Sequence, residues 1–127
     1  MDAAQDGLAG PLAREPIAIL LLPRPVEELE HAETIVELLR APGVVALEPG
    51  RLPPTKGRRA RGQARRLLRR LPGRPAAVVV FGEAQQPLAD ELAGRVLDCE
   101  LITARDPAGL RARFAARGVD VGPGGQP

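Results

Sequence analysis

Apolar residues fall along this chain in two alternating rhythms, short unbroken runs and longer stretches with helical spacing. Residues 17–22 (IAILLL) are all apolar, as in a strand buried on both faces. Pro23-Arg24-Pro25 ends the run, because proline donates nothing to a ladder, and Pro25 suits the first turn of a helix. Over 26–40 the apolar positions 29, 32, 35, 36 and 39 share one helical face. Glu27, Glu28 and Glu30 stand near the amino end of that stretch and Arg40 near its carboxyl end, as the helix dipole favours. A second strand is expected at 44–48, then a Pro/Gly/Arg-rich connection over 49–57. A second helix follows at 58–71, with Ala60, Ala64, Leu67, Leu68 and Leu71 on one side. Strands at 76–81 and 99–103 and helices at 87–97 and 107–117 complete the pattern, the last helix capped by Asp106 and closed by Gly118.

Aliphatic runs alternating with amphipathic helices imply an α/β fold: a single Rossmann-like three-layer domain, with a four-stranded parallel sheet and helices on both faces. The domain is expected over residues 16–119, behind a flexible leader (1–15) and before a disordered tail (120–127).

Composition narrows the function classes. The chain has 127 residues, enough for one domain, and only two aromatics, both phenylalanine. Stacking platforms for sugars or single-stranded nucleic acid are therefore disfavoured. The net charge of +2 hides a segregation. Residues 1–50 carry −6, residues 51–74 carry +10 and residues 75–127 carry −2. Arginine outnumbers lysine 17 to 1, a bias that GC-rich coding also produces. One cysteine, Cys99, excludes an internal disulfide and a multi-cysteine metal site, and its place at a strand start suits a small buried hydrophobe. The longest apolar run is too short to span a bilayer, and the acidic amino terminus is no secretory signal. No membrane span is expected, and a cytoplasmic location is the default.

Known catalytic signatures are missing. The turn after the first strand lacks the glycines of a dinucleotide fingerprint, and no Walker-type loop occurs. Without a serine, no Ser-His-Asp triad forms. His31, the one histidine, lies in the first helix without a second metal-type ligand, so it reads as a surface or boundary residue. No catalytic residue, metal site or cofactor is identified. Two candidate surfaces remain. In open α/β sheets ligands bind beyond the carboxyl ends of the strands. Arg24, Glu83, Gln85, Arg105 and Asp106 stand there as ligand-binding candidates. On the second helix Arg58, Arg61, Arg65, Arg66, Arg69 and Arg70 form a candidate anion surface, toward nucleic acid or an acidic protein. The bland reading is a solvated helix face whose charge is met by Glu27, Glu30 and Glu37.

Two strings, IAILLLPRPVEELEHAETIVELLRAPGVVALEP and AAVVVFGEAQQPLADELAGRVLDCEL, resemble the amino-terminal, acceptor-side domain of actinobacterial GT-B glycosyltransferases. The resemblance covers about residues 17–106 and includes the Gln85-Gln86-Pro87-Leu88 helix start. It implies a glycosyltransferase-like domain that is not catalytic alone. The nucleotide-sugar site of that family lies mainly on a carboxy-terminal domain, which a separately encoded partner would have to supply. A Gly-Gly turn common in the family is replaced here by Arg24-Pro25.

Overall fold

A computed structural model describes residues 15–48 and 58–122. It contains four strands, β1 (Pro16–Leu21), β2 (Val44–Leu47), β3 (Arg74–Val80) and β4 (Glu100–Thr103). Four helices alternate with them: α1 (Ala32–Leu39), α2 (Arg58–Arg70), α3 (Gln86–Gly94) and α4 (Leu110–Ala116). The strands form one all-parallel sheet in the order β2-β1-β3-β4. The α/β class, the parallel sheet and the helices on both faces are therefore as the hydrophobic rhythm implies.

Strand order explains which face each helix covers. From β1 the chain steps to β2 on one side, then crosses back over β1 to β3 and on to β4. Crossovers of one hand that reverse direction must use opposite faces. Ala18, Leu20, Ala77 and Val79 accordingly pack with Ile35 and Leu38 of α1 and with Leu110 and Phe114 of α4. Ile17, Ile19, Leu21, Val78 and Val80 pack with Ala64 of α2 and with Leu88, Ala89 and Leu92 of α3. Alternate side chains of a strand point to opposite faces, so β1 is apolar throughout and β3 is apolar from Pro75 onward. Each aliphatic side chain sealed this way contributes about 1.5–3 kcal/mol. One irregularity lies between β1 and β3, where Ile17 pairs with Pro75 and Ala18 with Ala77. Pro75 has no N–H for the ladder, and the skipped Ala76 absorbs the mismatch.

Element boundaries differ from the sequence pattern at several points. The stretch 26–40 is not one helix. Val26–Glu28 is a 3-10 turn, Leu29 is extended, and α1 begins only at Ala32. Val26 and Leu29 both lean on the core from this segment ahead of α1. Only Glu33 then occupies the first turn of α1, and His31 caps the helix rather than lying mid-helix. The buried stripe is Ile35 and Leu38, and Val36 is left 39% exposed. α3 stops at Gly94, so Leu97 is 84% exposed instead of facing the core. Asp106 does not cap α4: its Oδ1 accepts from the Ala108 N–H at 2.9 Å, closing a turn ahead of the helix, and Gly109 at φ 85° is the cap. Gly118, at φ 81°, does close α4 in the left-handed conformation. The packed body continues past residue 119, since the Gly43 N–H donates to the Asp120 carbonyl at 2.8 Å and Arg111 Nη2 donates to the Val121 carbonyl. The leader up to residue 14 and the tail from 123 lie outside the described residues.

Candidate functional site

The carboxyl ends of β1 and β3 are adjacent, and the chain leaves them toward opposite faces of the sheet. This is the switch point at which open α/β sheets form a crevice. The loop after β1 carries Pro23 and an exposed Arg24, and the loop after β3 carries Gly82, an exposed Glu83 and a buried Gln85. The two loops touch. A Cβ on Gly82 would stand 2.9 Å from Pro23 Cβ and 3.7 Å from Gln85 Oε1, so only glycine permits this approach. Gln85 is 3% exposed, and its Oε1 has no hydrogen-bond partner among the described residues. Its backbone N–H closes the 3-10 turn onto the Gly82 carbonyl at 3.2 Å. A buried carbonyl oxygen without a donor costs about 1–3 kcal/mol; among the described residues Arg111 Nε is the other buried side-chain atom without a partner.

Of the five candidates at the strand ends, Arg24, Glu83 and Gln85 lie on the loops that follow the neighbouring strands β1 and β3. Arg105 and Asp106 follow the edge strand β4, on the far side of β3 from β1, and both are exposed. Asp106 serves the turn at Ala108.

The second candidate is α2. Ala60, Ala64 and Leu71 are buried, and Leu67 and Leu68 pack partly against the same core. This seam points Arg59, Arg61, Arg65, Arg66, Arg69 and Arg70 outward, and all six are exposed. The Arg58 side chain lies outside the described residues. None of the six forms an ion pair with a described residue. The glutamates of the first helical segment do not reach them, because α1 covers one face of the sheet and α2 the other. Arg69 and Arg70 suit the carboxyl end of the helix dipole. Arg61, Arg65 and Arg69 repel one another at i, i+4, at a cost of about 0.2–0.5 kcal/mol per pair. Burial of the seam outweighs that repulsion, so the helix forms although no described acid pairs with these six arginines.

A third cluster was not legible from the motifs. Glu100 on β4 accepts hydrogen bonds from Arg113 and from Arg117 Nε, the latter at 3.0 Å, and Arg117 Nη1 donates to the Asp98 carbonyl at 2.8 Å. The hydrogen bond from Arg113, with that from Arg117, holds the Glu100 carboxyl below its usual value of 4.5, against an opposing contribution from burial. These groups and Arg74 line a cavity of about 550 Å³. The cavity lies toward the amino ends of β3 and β4, opposite the crevice, and the cluster clamps α4 to the edge strand. Its signal in the sequence is the i, i+4 spacing of Arg113 and Arg117. Close by, burial raises the Cys99 thiol from 9.0 to about 11, so it stays protonated and inert at neutral pH.

Among the described residues no group of three or more histidine, cysteine or acidic side chains is placed to hold a metal ion. No described helix is long and apolar enough to cross a membrane. No family model, curated protein or solved structure matches the chain.

Proposed function

We propose that this chain is a non-catalytic binding module whose α2 arginine face meets an anionic partner. The observation that supports it is the outward set of six α2 arginines without an ion pair to any described residue, while the nearest run of glutamates covers the opposite face of the sheet. Basic surfaces of this density attract polyanions through counterion release, with a steep dependence on salt. The test is Arg65→Glu with Arg69→Glu, read by salt elution from heparin and by melting temperature. Lost retention with an unchanged melting temperature supports the reading, because neither side chain contributes to the core. Unchanged retention disposes of it.

The unpartnered Gln85 amide at the switch point favours a second reading, the glycosyltransferase-like acceptor domain. Arg24, Glu83 and Gln85 would line the acceptor crevice, and a separate carboxy-terminal domain would bring the nucleotide sugar. Transfer needs placed donors or a metal to stabilise the leaving diphosphate. Fold class carries little weight here, since one architecture hosts many functions. On this reading the purified chain turns over no nucleotide sugar unless that second domain is added. Turnover by the chain alone, abolished by a point change in it, would sink the requirement for a partner.

A further inference from the structure

The charge of the molecule is divided between two sides of one sheet. Exposed on the α1 side are Glu27, Glu28, Glu30, Glu33 and Glu37, and exposed on the α2 side are the six arginines. Only Glu37 of these acids has a described cation beside it, Arg40 at 3.1 Å. Between the 3-10 turn and α1 runs an open groove of about 510 Å³, lined by Val26, Ala32 and Val36, by Glu27 and Glu33, and by the Glu37–Arg40 pair. Val36, one of the few large apolar side chains left exposed, lies in this groove.

We propose that this groove docks α2 of a second copy, so that the chain assembles head to tail. The inference rests on the reading that the α2 face takes an anionic partner, and it names that partner. Charge complementarity selects the occupant: the groove's lining is acidic and apolar, and α2 offers arginines whose aliphatic stems can lie over Val26 and Val36 while their guanidinium groups reach Glu27 and Glu33. α2, at 13 residues, spans about 20 Å, enough to follow the groove along α1. A nucleic acid would use α2 alone and leave the acidic groove without a role.

The geometry also sets the form of the assembly. Docking face and docked helix lie on opposite faces of the sheet, so each copy that binds through one still presents the other. Such a heterologous contact extends into chains unless its rotation closes a ring. Exposed ion pairs are individually weak and screened by salt, so assembly forms at high protein concentration and low salt and dissolves at high salt.

Sedimentation velocity of the full chain, over a range of concentrations at low and high salt, tests this with two neutralised variants. One is Glu27→Gln with Glu33→Gln; the other is Arg65→Gln with Arg69→Gln. The wild type is expected to shift to larger species with concentration at low salt and to return to monomer at high salt. Each variant alone is expected to stay monomeric, and their mixture to form a 1:1 pair that grows no further, because only one intact groove and one intact α2 meet. Circular dichroism shows whether both variants keep the fold. A wild type that stays monomeric throughout, or a glutamine-for-glutamate variant that assembles like the wild type, overturns the proposal. Heparin retention separates the two levels. A monomeric wild type still held on heparin, or binding duplex DNA, loses the self-assembly and keeps the anion-binding face; one that is not held loses both.

Discussion

Gln85 concentrates the tension between folding and function in a single side chain. Its Oε1 is buried in the loop after β3 with no donor among the described residues. Gln85→Leu removes the unsatisfied atom while keeping most of the volume, so it should raise stability by about 1 kcal/mol in urea unfolding. A loss of stability instead would mean that the amide has a partner in solution. Sites that cost stability without ligand are where function is usually carried, and this one shares a loop with Glu83 at the strand end next to that of Arg24. Glu100 shows the opposite balance. Its carboxyl is held below 4.5, chiefly by Arg113, so the ionised form is favoured in the folded state. That contribution is complete above the unfolded value and is lost as pH falls through the lowered folded one. Arg113 and Arg117 are 50% and 38% exposed, so solvent screening limits the gain to about 1 kcal/mol or less. Glu100→Gln should therefore lower the urea midpoint at neutral pH and leave it unchanged well below the usual carboxylate range.

At the scale of elements, α2 forms against its own charge because its seam is buried. Gly62 lies inside it, where an added Cβ would meet nothing within 4 Å. Gly62→Ala should stabilise the protein by about 0.5–1 kcal/mol through the lost freedom of the unfolded chain, measured by thermal or urea unfolding. A loss of stability in the Gly62→Ala variant would place a neighbour over this side of α2. The stretch 26–40 teaches a different lesson. Its apolar spacing fits a single helix, and yet the chain is extended at Leu29, and Val26 and Leu29 pack on the core from outside α1. Periodicity counts residues on a face, but the angle at which the chain leaves β1 depends on where β2 lies. Leu97 misleads in the same way, because apolar identity cannot show that α3 ends at Gly94.

For the whole molecule, the exposed arginines predict a stability that depends on anions. A polyanion that binds only the folded chain raises the melting temperature by mass action. Heparin should do so at low salt, with the gain fading as salt rises and absent in the Arg65→Glu, Arg69→Glu variant. An equal gain in that variant would move the binding away from α2.

The sequence by itself determined the class of fold. Runs such as 17–22 and 76–81 are apolar at every position, and strands of that kind are stable only when covered on both faces, which a parallel sheet between helix layers provides. It determined the α2 stripe as well, because spacings of four, three and four place Ala60, Ala64, Leu67 and Leu71 on one line. Tertiary structure decided the rest. The strand order β2-β1-β3-β4 set the loop of Arg24 and the loop of Gln85 at neighbouring strand ends and carried Arg105 and Asp106 to the edge, and no local pattern encodes which strands pair. The same order put the glutamates of the first helical segment and the arginines of α2 on opposite faces. Local spacing fixes which side of a helix is buried; only the path of the chain across the sheet fixes what that helix faces.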